Sequence, residues 1–488
     1  MSVNLSLPEA EVRENRLGTL LAYHGSAGDL SKRSAGKSID DNERTYSQCS
    51  DCAQGCAEVL TYYIQGAAVV IHSPIGCAHP AQAYVTNGAV AAARGVQASG
   101  IHAISTNISE EDTVYGGVQK LRQAILTAYE RFAPTVIFVH SSCAAGIIGD
   151  DIESETDALE DELGIPVIPV YCEGFKSKVW SSGFDAVFHG ILRKIVREPK
   201  KKDKDLVNIF NFQGVDTFTP LLKNFGLKAN YLVPLATVDA LAAMGEAVCS
   251  THICETLGTY VADALEKNYG VPQLRAPSPY GVNWTDEWIR AVCEITDRSE
   301  LAEDFIQKEH ERIREPLAKL RSELGGKKVY IIAGDTFAHN LSNLVRQLDM
   351  ELVGVTTLHH DQVTDNEDLD FDTLSKLVRD SGDIPHFTVC NRQPYQMIKV
   401  LKKLKPDVII TRHFNLAVLG TKLGIPAINE GDANNAIGYD GILDLGNRLL
   451  TAMAGKNFLK TISGHVKFPY SQWWMEQEDP YYFENGGF

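Results

Sequence analysis

Three cysteines lie close to short apolar runs and have the chemistry of metal ligands. Cys77 follows the run "VVIHSPIG", Cys143 follows "VIFVHSS", and Cys56 lies upstream of both in "CSDCAQGCAEVL". Thiolates are the ligands of iron–sulfur clusters, and glycine-rich turns offer backbone N–H groups to the cluster sulfides. The alternative for each cysteine is a small buried residue. Spacing alone leaves both interpretations open.

The motif "CSDCAQGC" contains two further thiols, Cys49 and Cys52. Together with Cys56 they could hold a zinc ion or a cluster. A structural zinc site normally uses a second cysteine pair of matching spacing, and the sequence has none. We therefore predict Cys56 as a ligand and leave the roles of Cys49 and Cys52 open.

A fourth candidate is Cys254, in "CSTHICETLGTYVADAL". Ser250 or Thr251 is predicted as the helix N-cap, which places Cys254 in the first helical turn. The positive end of a helix lowers the pKa of a thiol and favours an anionic cluster. Leu257 and Leu265 carry the buried face of this helix, so Cys254 is not required there. A core cysteine is the alternative interpretation.

Parallel strands followed by helices are the elements that would position these thiols. The segments "AAVVIHS", "PTVIFVH" and "IPVIPVYCEGF" read as strands, and "EDTVYGGVQKLRQAILTAYERF" reads as a crossover helix. Open α/β sheets bind ligands at the carboxyl ends of their strands, where Cys77 and Cys143 would converge. Strand and helix signals alternate along the whole chain. We predict an α/β fold of three doubly wound, Rossmann-like parallel-sheet domains around a metallocluster pocket.

The predicted domains follow this alternation. The basic stretch "REPKKKDKD" is interpreted as a solvated boundary. The predicted ranges are 1–45 for an N-terminal extension, 46–204 for a first α/β domain with the strand-end cysteines, 205–325 for a second with Cys254, and 326–488 for a third plus a C-terminal tail. The sequence has no G-x-G-x-x-G after a strand and no G-x-x-x-x-G-K-[ST], which argues against dinucleotide or ATP binding through a standard phosphate loop.

Composition limits the partners and the compartment. The 488 residues include 46 Lys and Arg against 63 Asp and Glu, a net charge of −17 that argues against nucleic acid as a partner. The N-terminus "MSVNLSLPEAEVRENR" lacks an apolar signal core, and the apolar runs have strand length, so we predict a cytoplasmic protein without membrane association. In that reducing compartment the 10 cysteines are not expected to form disulfides.

The order of several motifs resembles the α (D-type) subunit of the nitrogenase component 1 family, over about residues 56–450. These motifs are "SPIGC", "DTVYGG", "IIGDDIES", "IPVIPVYCEGF", "HIC", "EKNYGVP" and "GYDG". The resemblance implies a homologous K-type (β) subunit as partner, in a D2K2 heterotetramer, and an ATP-hydrolysing iron protein (H-type) as electron donor. It also implies a relay cluster at the subunit interface and an active-site cofactor.

Within that resemblance, four cysteines match the family's cluster ligands. Cys56, Cys77 and Cys143 match the D-side ligands of the relay cluster, a P-cluster-type [8Fe-7S] or a [4Fe-4S] cluster. Cys254 matches the cysteine that holds the terminal iron of the cofactor. The turn after "VIFVH" would then present Cys143 to the relay cluster.

Departures from the family pattern bear on the substrate. After "CEGF" the family has a Gln and a His that contact the cofactor, whereas Trp180 and Phe184 stand at the equivalent spacing here. A cofactor-ligating His after a "GIP" strand is missing from "GIPAINEGDANNAIGYDG", and Asn415 stands near the position of a Lys that helps hold homocitrate. These differences imply an [Fe8S9C]-type cofactor without molybdenum and argue against dinitrogen as substrate.

The second cofactor ligand, opposite Cys254, must then come from another residue. His413 ends the strand "PDVIIT" and is ranked first, because its loop approaches the cofactor in relatives. His359 and His360 at the end of "LVGVTTL", and the oxygen-bearing Asn429 and Glu430, are the other candidates. For each histidine the alternative is an ordinary hydrogen-bonded side chain.

Among nitrogenase-like reductases of other substrates, this sequence resembles most in character methylthio-alkane reductase, which cleaves small thioethers to methanethiol and a hydrocarbon. Trp180 and Phe184 would make the pocket apolar, as a weakly polar thioether requires. The alternatives are a scaffold subunit that matures the nitrogenase cofactor and a nitrogenase α subunit proper. A reductase of tetrapyrrole-type substrates is disfavoured because it would not need Cys254. No catalytic side chain is predicted.

Overall fold

The computed structural model describes residues 3–40, 52–78, 100–211, 216–366, 372–390, 394–412, 414–431 and 436–481, with positions 91, 92, 94, 95, 97 and 368. The strands of these ranges are β1 (Ala22–Gly25), β2 (Ala67–His72), β3 (His102–Ser105), β4 (Val136–Ser141), β5 (Val167–Tyr171), β6 (Asp203–Phe210), β7 (Lys228–Leu232), β8 (Ala247–His252), β9 (Lys328–Ala333), β10 (Glu351–Thr357), β11 (Phe387–Cys390), β12 (Val408–Thr411) and β13 (Ala427–Asn429).

Helices connect most of these strands and cover their sheets. They span Arg13–Leu17, Ala27–Ser34, Ala53–Tyr62, Glu110–Tyr115, Val118–Phe132, Cys143–Ile148, Ile152–Leu163, Ser182–Lys194, Phe218–Leu222, Val238–Ala242, Glu255–Tyr269, Gly281–Ile295, Ser299–Leu324, Asp335–Gln347, Thr373–Ser381, Pro394–Leu404, Phe414–Leu423, Gly438–Ala454, Lys456–Ser463 and Gln472–Glu476. Short 3₁₀ turns lie at Ile75–Cys77, Lys223–Phe225 and Ala243–Glu246.

The strands form three sheets, which confirms the predicted α/β class. Their orders are β3-β2-β4-β5, β7-β6-β8 and β1-β11-β10-β9-β12-β13. Every pair is parallel except β1 with β11. Strands β2 and β4 are buried along their whole length, because helices cover both faces of the first sheet. Burial on both faces explains why these strands read as continuous apolar runs.

The N-terminal segment contributes to the third sheet. Strand β1 pairs antiparallel with β11, in a register that sets Ala22 opposite Cys390. The added strand covers an edge of the sheet that would otherwise expose unpaired backbone groups. The predicted domain ranges stay predictions.

The three sheets share their hydrophobic cores. One buried cluster joins residues of the second and third sheets, and another joins the first and second. Cys254 is half-buried and packs against both clusters. We call each sheet with its covering helices a unit: the first is built on β3-β2-β4-β5, the second on β7-β6-β8 and the third on β1-β11-β10-β9-β12-β13. Cys254 therefore lies where the three units meet. Across the described ranges, no helix is both long and apolar enough to cross a membrane.

Candidate metallocluster sites

Three thiols meet at the carboxyl edge of the first sheet. Cys77 ends the turn after β2, and Cys143 begins the helix after β4, the parallel neighbour of β2. Cys52 immediately precedes the helix Ala53–Tyr62. A methyl group placed on Gly174 would lie 3.4 Å from Sγ of Cys52 and 3.7 Å from Sγ of Cys143, so these two thiols face the same small space.

Electrostatics links Cys77 to the same group. Burial raises the pKa of the Cys77 thiol, and negative charge on Cys52 and Cys143 raises it further. Cys52 and Cys143 both lie at the starts of helices. Ionised thiolates at these three positions would repel one another, and a bound metal centre would relieve that repulsion.

Cys56, the predicted ligand, lies in a different environment. Its side chain is buried in the hydrophobic cluster shared by the first and second units. Cys52 lies four residues earlier in an extended conformation, with φ −103° and ψ 176°, and its thiol departs from the helix towards Cys143. Cys52 therefore faces Cys143, while the side chain of Cys56 packs in the core. Cys49 falls outside the described residues.

Cys52, Cys77 and Cys143 do not form a group that could hold one metal ion. No three His, Cys, Asp or Glu side chains in the described part of the chain converge closely enough to hold one ion. A single zinc ion needs thiolates at about 2.3 Å from one point. Cluster ligands are instead spread around the outside of several irons.

The second site is built on Cys254, which caps the helix Glu255–Tyr269. The prediction of Ser250 or Thr251 as N-cap is wrong, because both residues belong to β8 and pair with β6. Cys254 therefore lies one step outside the helix rather than in its first turn. Burial raises the pKa of its thiol, and this outweighs the opposing hydrogen bonds from Thr256 and Leu257.

Aromatic side chains from the first and third units adjoin this helix start. The ring centroids of Trp180 and His359 are 5.7 Å apart in an edge-to-face arrangement, and Trp180 meets Phe184 at the same distance. Nε2 of His359 lies 3.1 Å from Oγ1 of Thr256, two residues after Cys254. Trp180 and Cys254 pack against the same hydrophobic cluster.

Several buried polar atoms near Cys254 have no hydrogen-bond partner among the described residues. They include Nε1 of Trp180, Nδ1 of His359, Oδ1 of Asn340, and the hydroxyl of Tyr280. Nδ2 of Asn340 lies 3.4 Å from the carbonyl oxygen of Ile253, beside Cys254. Burial raises the pKa of Tyr280 well above its usual range, and charge on Glu430 and Cys254 adds to the rise.

These unpartnered atoms fit an iron–sulfur cofactor. Buried polar groups without partners are rare and destabilising, so a concentration of them indicates a bound polar group. Indole N–H and hydroxyl groups are donors, and cofactor sulfides are acceptors. The donors of Trp180 and Tyr280, with the thiol of Cys254, form a suitable set.

The predicted second-ligand candidates differ in availability. His413, ranked first, lies outside the described residues. Both ring nitrogens of His360 are occupied, with Nδ1 at 3.3 Å from Asp335 and Nε2 at 2.8 Å from Oγ of Ser34. Burial raises the pKa of Glu430 to about 7, although Arg448 donates to it. Oδ1 of Asn429 is buried without a partner in the described ranges.

Comparisons with known proteins identify the family of this chain. Residues 52–454 match the family "Nitrogenase component 1 type Oxidoreductase". The chain is 28% identical over 414 residues to the nitrogenase iron-molybdenum cofactor biosynthesis protein NifE of Methanococcus maripaludis, covering 82% of this chain and 83% of that protein. It is also 28% identical over 427 residues to the nitrogenase molybdenum-iron protein alpha chain of Methanococcus maripaludis, covering 82% and 86%.

A solved structure titled "Nitrogenase Cp1 at pH 5" has the same fold. The TM-score is 0.71, with 22% sequence identity, over 88% of this chain and 92% of that one. At 22% sequence identity, this similarity shows a shared fold and nothing more.

Proposed function

Because this chain belongs to the nitrogenase component 1 type oxidoreductase family, we propose that it is the D-type subunit of a nitrogenase-like reductase that cleaves C–S bonds of small methylthio-alkanes. The observation that carries this proposal is the wall of Trp180, Phe184 and His359 beside Cys254. An apolar wall binds small, weakly polar molecules by burial, and the soft sulfur of a thioether is a ligand for iron.

The relay cluster would be held by Cys52, Cys77 and Cys143. Cys52 takes the role that the sequence analysis assigned to Cys56, because its thiol adjoins that of Cys143 while Cys56 is in the core. A [8Fe-7S] or [4Fe-4S] cluster there would relay electrons from the iron protein. The K-type subunit would supply the remaining ligands.

Exposed apolar side chains surround these thiols and suit the K-type partner. Ile75 follows β2, Ile147 follows β4, and Phe175 follows β5, so all three lie at the same edge of the first sheet. Val114 and Tyr115 end the helix Glu110–Tyr115, which contacts the helix of Ile147. Tyr115 is 83% exposed and Ile147 is 75% exposed. Apolar patches of this kind mark protein interfaces.

Cys254 would hold the terminal iron of an [Fe8S9C]-type cofactor without molybdenum. The bound cofactor would supply electrons and open iron positions. The chain's own contribution is to orient it and exclude water: Trp180 and Tyr280 offer buried donors, and Phe184 closes the apolar side. Its second ligand stays a prediction, with His413 ranked first and Asn429 the described alternative with an unpartnered oxygen.

The proposed reaction consumes two electrons and two protons. For dimethyl sulfide, one C–S bond breaks, the sulfur takes one proton to give methanethiol, and the released carbon takes the other to give methane. The iron protein supplies the electrons with ATP hydrolysis.

A cofactor-maturation scaffold is the second candidate, because the chain is as similar to NifE as to a nitrogenase alpha chain. A nitrogenase α subunit proper is less well supported, since Trp180 and Phe184 occupy the spacing of the family's polar cofactor contacts. The scaffold would hand its cofactor on, whereas the reductase would keep it.

The test combines purified D, K and iron-protein components with ATP, dithionite and dimethyl sulfide under anaerobic conditions. We expect methanethiol and methane in equal amounts by gas chromatography, and none from the Cys254→Ser complex. A fully loaded complex that forms no methanethiol, and that transfers its cofactor to apo-nitrogenase, would show the scaffold function instead.

A further inference from the structure

Residues 3–40, which we call the N-terminal strap, cross the junction of the three units. The carbonyl of Leu7 accepts a hydrogen bond from His189 of the first unit at 2.9 Å. Leu20 pairs with His360 of the third unit through backbone hydrogen bonds of 2.7 and 3.0 Å. The strap thus contacts the first unit as well as the third, whose sheet it joins through β1.

Arg13 of the strap is completely buried at this junction. Its guanidinium donates to both carboxylate oxygens of Asp185, at 2.7 and 2.9 Å, and to Asp361 at 3.1 Å. It also donates to the backbone carbonyl of Thr256. One strap side chain therefore contacts the first unit, the third unit and the helix that begins after Cys254.

Arg16, one turn later, repeats the arrangement. It is 3% exposed and donates to Asp185 and Asp365. Its guanidinium lies 4.8 Å from the ring centre of Tyr260, on the helix that Cys254 caps. The cation–π contact holds Arg16 to this helix, and its two ion pairs hold it to the first and third units.

The charges at this junction depend on the strap. Asp185 belongs to the first unit, and Asp361 and Asp365 follow β10 of the third. These three carboxylates share two strap arginines. If the strap leaves, buried like charges from two units face each other without these arginines. Their repulsion and need for water would separate the units.

The packing beneath the strap is incomplete. A cavity of about 70 Å³ is lined by Leu17 and Ser34 of the strap and by Glu255, Thr259 and Asp361 of the units. Lifting the strap would expose Glu255, the residue next to Cys254. The cavity leaves room for the Arg13–Leu17 part of the strap to move while β1 stays paired with β11.

We propose that the N-terminal strap is a releasable lock on the Cys254 pocket: the strap docked by Arg13 and Arg16 retains the cofactor, and the strap lifted opens the pocket to let it enter or leave. The proposal rests on the proposed function, because it concerns the cofactor held by Cys254. A firmly docked strap would keep the cofactor bound to Cys254, as a reductase requires.

The first measurement is hydrogen exchange on the intact complex. We expect the amides of residues 12–21 to exchange together, at a rate faster than that of β9 in the third core, because the strap opens without global unfolding. If these amides exchange no faster than the amides of β9, the strap opens only on global unfolding and the lock is overturned. This readout needs no bound cofactor, so it stands even if the proposed function fails.

The second measurement is iron loss from the loaded complex to an external chelator. Arg13→Met removes one partner of a buried ion pair, and we expect cofactor iron to leave about 100-fold faster. Arg33→Met is the matched control: it lies on the strap in an exposed pair with Asp29 and should leave the rate unchanged. Equal loss from folded Arg13→Met and wild-type complexes would overturn the lock.

Discussion

Three of the four proposed cluster thiols lie at the start of a helix. Cys52 and Cys254 are N-caps, and Cys143 is the first residue of its helix. An N-cap side chain departs from the helix axis, so it can face a cluster while the helix itself remains packed. The positive helix end also opposes the repulsion between thiolates.

At the residue scale, the two cysteines of "CAQGC" should behave differently. Cys52→Ala removes a thiol beside Cys143, so we expect the complex to lose most of its relay-cluster iron and the corresponding EPR signal. Cys56→Ala is the matched control, four residues away. It should keep that iron, because Cys56 packs in the core, and it should lower the free energy of unfolding by about 1 kcal/mol, because a small buried side chain is truncated.

Iron analysis and EPR on anaerobically purified complexes would measure both. Loss of the signal in Cys56→Ala, with its retention in Cys52→Ala, would restore the original assignment. Circular dichroism on each variant separates loss of ligand from loss of fold.

How much of the site the sequence predicts depends on how far apart in the chain the interacting residues lie. Cys77 and Cys143 follow apolar strand runs, so local pattern is enough to bring them to one edge. The choice of Cys52 depends on the extended backbone at one residue, which spacing does not specify. The contact of Trp180 with His359 joins two units, and no local signal predicts it.

At the scale of elements, the helix that carries Cys52 depends on one close approach. Gly183, on the helix Ser182–Lys194, packs against the helix Ala53–Tyr62. A Cβ on Gly183 would lie 1.9 Å from the carbonyl oxygen of Ala53. A Cβ atom and a carbonyl oxygen cannot lie that close together. Any side chain at Gly183 must therefore push the two helices apart.

We therefore expect Gly183→Ala to lower the free energy of unfolding by about 3 kcal/mol and to shift Cys52 away from Cys143. Gly55→Ala is the control on the partner helix, where an added Cβ meets nothing within 4 Å. That variant should be more stable by about 0.5–1 kcal/mol, through helix propensity. Denaturant titrations of both complexes measure the difference. A neutral Gly183→Ala would contradict the packing.

The elements themselves were largely predictable. Runs such as "PTVIFVH" are continuously apolar because both faces of the strand are buried. A continuous apolar run is a local feature, so the sequence is enough to predict the strand. The start of the helix after Cys254 was misplaced because Ser250 and Thr251 favour caps in isolation, while pairing with β6 extends the strand through them. Strand β1 could not be foreseen, since its partner lies at the other end of the chain.

At the scale of the whole molecule, the exposed apolar patch around the thiols should carry the K-type partner. Ile147→Asp places a charge where we propose a dry interface, so we expect association with the partner to weaken by about 2 kcal/mol or more. Leu301→Asp is the matched control, since Leu301 is also exposed but lies on the helix Ser299–Leu324. Analytical ultracentrifugation of co-purified subunits measures both. Equal association would contradict this interface.

The pairing of β1 with β11 has a consequence for the order of events at the ribosome. Residue 22 emerges early, yet the strand that it joins ends at residue 390. The first two sheets can therefore form while β1 still waits for its partner, and that contact is among the last to close. During synthesis the Cys254 helix is completed before the strap has its final anchor. The newborn chain thus passes through an interval in which the Cys254 helix exists but the strap is not yet anchored over it.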